Sequence, residues 1–292
     1  MAIKIYIDGD MVDEKNAKIS VFDHGLLYGD GVFEGIRAYN GKVWKFDEHI
    51  DRLFASAQAI QLKIPLNTKE MKDAVIKTVR ANGLKDCYIR LVVTRGKGDL
   101  GLDPKKCPRP TVFIIAHTIK LYPKELYYKG MEIVTVATVR NFVNAIDPQI
   151  KSLNYLNNVL AKIEANLAGA PEAIMLSRDG YVLECTGDNI FIIKNGVLIT
   201  PPTWLGVLAG ITRNTMLGLA EKLKIPAKEE VFTRYSLYNA DECFLTGTAA
   251  EVIPVVKVDG RIIGNGMPGK ISLRLMKALW ALTKTEGTPI YK

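Results

Sequence analysis

Two Asn-Gly pairs punctuate the sequence, Asn40-Gly41 and Asn195-Gly196, each set between runs of alternating apolar residues. Asn-Gly supplies two successive positions that tolerate positive φ. A two-residue type I′ hairpin demands this, so each pair predicts neighbouring antiparallel strands. The first joins residues 32–39 to 42–46, and the second turns inside "NIFIIKNGVLIT". Helical patterns come in blocks: two stretches before "CYIRLVVTRG", one over 152–168, one from 211 to about 224, and a closing one from 268 to about 283. Hairpin strands with helices inserted in blocks predict an α+β fold in place of a doubly wound parallel sheet. The stretch "IKLYPKELYYKG", 119–130, lacks a clean period and ends in glycine. It reads as a linker between a small N-terminal α/β domain at 1–118 and a large C-terminal domain at 131–292.

A chain of 292 residues, 48% hydrophobic and 24% charged, has the composition of a globular protein with ample core. No apolar run reaches the length of a membrane span, and "MAIKIYIDGDMV" enters an alternating strand pattern at once, so the expectation is a soluble cytoplasmic protein. Cys87, Cys107, Cys185 and Cys243 form no C-x-x-C pair, which gives neither a metal site nor a disulfide framework. The net charge of +8 permits a non-catalytic nucleic-acid-binding protein, but the 39 basic residues are scattered without a tail or stripe. Small anionic ligands are the more economical partners; neither nucleic acid nor membrane is expected.

The segment "IKSLNYLNN" places Lys151 directly before a helical period, since Leu153, Leu156, Leu160, Ile163 and Leu167 recur at three- and four-residue steps. A helix N-terminus disfavours an ammonium and favours the neutral amine that a Schiff base requires. Read alone, Lys151 is more simply an ordinary surface lysine. A Schiff-base lysine calls for a phosphate cup and a partner for a pyridine nitrogen. "LAGITRNT" offers Gly210, Ile211 and Thr212 at the mouth of a helix, where free N–H groups meet anions. "FLTGTAAE" offers Gly247, Thr248 and Ala249 in the same way; each cluster alone is also a plain cap or tight turn. Glu184 ends the apolar run "YVLEC", where a carboxylate needs a partner or water. Arg52 shares a helical face with His49 and Ser56, as a phosphate ligand or as a salt-bridge arginine.

Taken in order, "YGDGVFEGIRAY", "YIRLVVTRG", "KSLNYLNN", "ECTGDNIF", "LAGITR" and "LTGTAAE" resemble the motif series of the branched-chain amino-acid aminotransferases, fold-type IV enzymes of pyridoxal 5'-phosphate. The resemblance runs from about Ile5 to Lys277. It implies two domains with the cofactor at their interface, a cytoplasmic homo-oligomer, a dimer or multiple of dimers, and amino acids and 2-oxo acids as partners. By motif, Lys151 resembles the Schiff-base and proton-moving lysine, Tyr155 the tyrosine at the cofactor's phenolic oxygen, and Glu184 the ring-nitrogen partner. Arg52, Ile211, Thr212 and Thr248, with Gly210 and Gly247, match the phosphate site, and Leu208 the residue on the ring face. Tyr88 and the N–H groups of Thr248 and Ala249 resemble the α-carboxylate site. Phe33, Gly35, Tyr28 and Tyr155 resemble the side-chain pocket, and Arg90 the group that meets glutamate's distal carboxylate, with Arg37 and Arg95 next in line. Leu100 and Leu102, in "GKGDLGLDP", resemble residues that reach a neighbouring subunit. The family often carries proline after the arginine of "YIR", where this chain has Leu91.

The implied activity is transamination of leucine, isoleucine or valine with 2-oxoglutarate, in the service of amino-acid biosynthesis among the family's roles. D-amino-acid aminotransferase, (R)-amine transaminase and aminodeoxychorismate lyase are the alternatives on the same fold.

Overall fold

The computed structural model describes residues 3–119 and 122–291. They form two compact units: 3–119 with 150–154 and 283–291, and 122–149 with 155–282. The expected linker, 119–130, includes Lys120 and Leu121, which lie outside the described residues, and a helix at its far end.

In the first unit the chain runs β1 (Lys4–Ile7), β2 (Asp10–Asp13), α1 (His24–Tyr28), β3 (Gly31–Tyr39), β4 (Lys42–Val43), α2 (Phe46–Ala59), α3 (Thr68–Ala81), β5 (Cys87–Thr94) and β6 (Thr111–His117). With the two-residue strand Thr288–Pro289 they make an antiparallel seven-stranded sheet in the order Thr288–Pro289, β4, β3, β5, β6, β1, β2. The Asn40-Gly41 hairpin forms as its residue types dictate, with φ of 50° and 75°. The second strand is shorter than the pattern predicts, because Lys45 turns left-handed (φ 50°) and sends the chain into α2. Helices α2 and α3 bury Ile50, Leu53, Met71 and Val75 against Val32, Ile36, Ile89 and Leu91. Each large apolar side chain so buried contributes roughly 1.5–3 kcal/mol.

The second unit contains α4 (Lys124–Lys129), β7 (Met131–Thr135), α5 (Leu156–Leu167), β8 (Ala173–Leu176), β9 (Val182–Cys185), β10 (Asn189–Lys194), β11 (Val197–Thr200), α6 (Ile211–Lys222), β12 (Ala227–Glu229), α7 (Arg234–Tyr238), β13 (Glu242–Gly247), β14 (Glu251–Val258), β15 (Arg261–Ile262) and α8 (Lys270–Thr285), whose last residues belong to the first unit. Its strands follow the order β12, β11, β10, β13, β14, β7, β8, β9, and β9 pairs back onto β10. The run from β10 to β9 therefore closes into a barrel, a topology the hairpin signals do not reveal because β14–β7 and β7–β8 are long-range parallel pairs. Mixed, mainly antiparallel sheets with helices in blocks make the fold α+β, as the sequence predicts.

Candidate active site

Side chains alternate across a strand, so β3 has two faces. Val32, Ile36 and Ala38 join the core, while Phe33, Gly35 and Arg37 point the other way. Register pairs Gly35 with Arg90 and Arg37 with Tyr88 on β5. A Cβ on Gly35 would collide with the Tyr88 ring and hydroxyl, so glycine lets that tyrosine lie directly on β3. The Arg90 guanidinium stacks 4.6 Å from the Phe33 ring centre, its Nη2 is 3.1 Å from the Tyr88 hydroxyl, and Arg37 lies 4.8 Å from the Tyr39 ring. Lys151 joins this face with Nζ 4.5 Å from the Phe33 ring centre. Five of the sequence-predicted residues, Phe33, Gly35, Tyr88, Arg90 and Lys151, thus meet on one surface of the first unit.

The position of Lys151 differs from expectation. The helix expected over 152–168 begins at Leu156, with Tyr155 as its N-cap. Residues 151–153 instead run along β3: the Phe33 N–H donates to the Lys151 carbonyl (3.0 Å), Leu153 N–H to Gly31 (2.9 Å), and Ser152 bridges Val32. The helix-terminus argument for a neutral amine does not apply. What fixes this lysine is strand pairing, together with the Ser56 hydroxyl that accepts its N–H at 3.1 Å.

That hydroxyl belongs to the predicted face of α2. His49, Arg52 and Ser56 all point toward β3, where a buried carboxylate, Glu34, accepts from Arg52 Nε (2.7 Å) and Nη2 (2.9 Å) and lies 2.7 Å from His49 Nδ1. Burial alone would raise the Glu34 carboxyl, but the Arg52 and His49 contacts outweigh it and hold it at about 2. Burial pushes the His49 imidazole down against Glu34's opposing charge, which assigns the ring proton to Nδ1, donated to Glu34. Arg52 thus has a buried salt-bridge partner, and the pair fixes its guanidinium in orientation.

In the second unit the Glu184 carboxylate is 5% exposed and has the partners its position demands. Arg140 Nε donates to Oε1 at 2.8 Å, and Asn189 Nδ2 and the Leu208 N–H donate to Oε2 at 3.1 Å each. Ladder register sets Glu184 opposite Asn189 and Asn189 opposite Thr246. Thr246 and Thr212 each carry a buried hydroxyl with no hydrogen-bond partner among the described residues. Thr212 lies in the first turn of α6, whose N-cap Gly210 admits no Cβ, since one would lie 1.9 Å from Asn189 Oδ1. An orphaned donor beside the free N–H groups of a helix start fits an anionic group. Gly247 ends β13, and Thr248 and Ala249 carry the chain into a turn that leads to β14, whose first residue, Glu251, has φ 61°.

Tyr28 donates its hydroxyl to the Leu100 carbonyl at 2.6 Å, tying α1 to the loop in which Leu100 and Leu102 are 69% and 77% exposed. Sequence reasoning missed Glu34, Arg140, Asn189 and Thr246. The signal for Glu34 was there, an acidic residue inside the apolar run "GVFEGIRAY", and Thr246 likewise interrupts "CFLTG". Arg140 sits in "TVRNFVNAIDPQI", which has no period to place it. Among the described residues no cluster could hold a metal, and no helix is long and apolar enough to cross a membrane.

Residues 31–258 match the family model for class IV amino-transferases. A Methanocaldococcus jannaschii protein, provisionally named a branched-chain-amino-acid aminotransferase, is 54% identical over 99% of both chains. The branched-chain aminotransferase of Thermoproteus uzoniensis, solved with norvaline, superposes with TM-score 0.92 at 40% identity over 100% of each chain. The T.th. branched-chain amino acid aminotransferase, solved with N-(5'-phosphopyridoxyl)-L-glutamate, does so with TM-score 0.92 at 37% identity, covering 97% of this chain and 95% of that one.

Proposed function

The chain belongs to the class IV aminotransferase family, and we propose that it moves the amino group of a branched-chain L-amino acid to 2-oxoglutarate with pyridoxal 5'-phosphate as cofactor. The observation that carries this reading is Lys151, pinned by its main chain to β3 and Ser56, with its amine over Phe33 beside Arg90. When bound, the cofactor supplies an electron sink for charge developing at the substrate's α-carbon. Lys151 would hold that cofactor through its amine and, as the free amine, would take up the proton from the substrate's α-carbon. Glu184 accepts a hydrogen bond from the protonated ring nitrogen, oriented for this by Arg140, Asn189 and the Leu208 N–H. Thr212, the N–H groups that follow Gly210, and Thr248 hold the phosphate, with Arg52 as a further cation and Leu208 on the ring face. Tyr155 meets the phenolic oxygen. Tyr88 with Thr248 and Ala249 takes the α-carboxylate, and Phe33, Gly35 and Tyr28 line the side-chain pocket. Arg90 lets an apolar pocket accept glutamate as well.

The exposed Leu100 and Leu102 support a homodimer in which this loop completes a neighbour's pocket. Leu100→Asp with Leu102→Asp should then lower the mass found by light scattering and the activity together. Four free cysteines support the reducing cytoplasm as its compartment.

The deciding experiment uses the purified protein, which should be yellow. Borohydride should fix the cofactor on Lys151, Lys151→Ala should lose essentially all turnover, and L-leucine should bleach the cofactor band where D-alanine and (R)-amines do not. A reduced adduct on another lysine, or D-alanine as the better donor, would overturn the reading.

A further inference from the structure

The second unit holds a buried acidic cluster that the proposed reaction does not use. The Tyr122 hydroxyl lies 3.3 Å from both Glu172 Oε2 and Asp188 Oδ2. Glu172 and Asp188 are 3% and 7% exposed. One hydroxyl proton is offered to two buried carboxylates, and their mutual repulsion across it favours a proton on one of them. Glu172 is provided for as an anion: its Oε1 accepts the N–H groups of Ala173 (2.7 Å) and Thr186 (3.1 Å) and the Thr186 hydroxyl (2.5 Å). The Asp188 carboxyl is offered Tyr122 alone among the described residues, which makes it the protonated partner.

Asp188 also touches the turn proposed to bind anions. A Cβ on Gly247 would lie 2.1 Å from Asp188 Oδ1, so the carboxyl packs directly on the glycine that opens that turn. A negative charge there would face the anion across a buried, weakly screened path. We infer that Asp188, through the proton it shares with Glu172 and Tyr122, is a positioning residue that sets the anion affinity of the 247–249 turn. The inference rests on the proposed cofactor reading of that turn.

The groups facing Asp188 are Glu172, Tyr122, Lys162 on α5, and Glu184 and Cys185 on β9. Burial first and the Glu172 charge second raise the Asp188 carboxyl to about 7, against the lowering pull of Tyr122 and Lys162. Asp188 therefore stays neutral to higher pH than an ordinary aspartate and gains its charge as pH rises.

The test is the dissociation constant of pyridoxal phosphate from the holoenzyme, followed by cofactor absorbance between pH 5.5 and pH 9, in wild type and Asp188→Asn. The isosteric amide stays neutral at every pH. Both proteins should bind alike at pH 5.5, and wild type should bind about tenfold more weakly than the variant at pH 9. Tyr122→Phe, which removes a lowering hydrogen bond, should move the wild-type break to higher pH, a change that a purely structural role would not produce. Should Asp188→Asn fail to fold, the Tyr122→Phe shift alone decides. Parallel profiles in all three proteins would overturn the inference and leave the cofactor reading intact; failure of every protein to bind pyridoxal phosphate at any pH would overturn both.

Discussion

Two buried carboxylates, Glu34 and Glu184, look alike. Each ends up beside an arginine, at 2.7 Å for Arg52 and 2.8 Å for Arg140. They differ in what else surrounds them. Glu34 is closed in by a bidentate guanidinium and His49, all from α2, and it faces the core side of β3. Glu184 is held by three donors from three separate segments, in a row with an orphaned threonine hydroxyl and next to an anion-ready helix start. An arginine partner shows only that a buried charge has been compensated. The remaining neighbours tell structure from chemistry.

Paired substitutions break the resemblance most sharply. Glu184→Gln should slow the single-turnover proton transfer by about 10²- to 10⁴-fold, because the ring nitrogen loses its counter-charge. It should also destabilise the chain, since Arg140 is left buried without its ion pair. Glu34→Gln should cost about 3–5 kcal/mol in urea unfolding but leave the half-reaction rate of the folded fraction within a few fold. Equal kinetic losses in both variants would dissolve the distinction.

Acid separates wild type from the Glu34 variant in a second way. The carboxyl is held at about 2 in the fold against 4.5 as an ordinary side chain. A depressed carboxylate stabilises the fold above its unfolded value, and that contribution is lost as pH falls through the folded one. The stability gap between wild type and Glu34→Gln should therefore narrow by about 3 kcal/mol between pH 5 and pH 2. A gap that stays constant would mean that Glu34 titrates normally.

Arg90 sits on the opposite face of the same strand pair and should behave in the opposite way from Glu34. Only glutamate and 2-oxoglutarate offer it a second carboxylate, and such a bond is worth about 1.5–3 kcal/mol. Arg90→Met should lower kcat/KM for 2-oxoglutarate by about tenfold to a hundredfold, with leucine and urea stability much less affected. Equal losses with both substrates would pass the role to Arg37 or Arg95.

How much of this was legible follows from the range of the interactions. The hairpins at Asn40-Gly41 and Asn195-Gly196, the face of His49, Arg52 and Ser56, and Glu184 as an unusual carboxylate at the end of an apolar strand were readable, because local periodicity and turn chemistry mark them. The barrel closure, the strand pairing of 151–153 and the Arg140–Glu184 ion pair were not, since each joins segments far apart in sequence. Helix α5 shows a subtler limit. Its leucine period is real, yet the residues it buries are Asn158, Ala161 and Ala165. Periodicity identifies an apolar stripe and does not say which side of the helix the chain covers.

The smallest predicted effect tests that last point, with α2 as its control. Leu53 on α2 is wholly buried, and Leu53→Ala should cost about 2–5 kcal/mol through lost transfer energy and the cavity left behind. Leu160 and Leu167 on α5 are 47% and 84% exposed, so neither removal opens a cavity in the single chain. In dilute urea unfolding, Leu167→Ala should shift stability by less than about 0.5 kcal/mol, and Leu160→Ala should follow it closely. The measurement is repeated across a hundredfold range of protein concentration. A cost that grows with concentration would mean that another copy covers the stripe, because association stabilises only the bound form. A large cost independent of concentration would mean that α5 packs inward on its leucines, reversing the assignment of its faces.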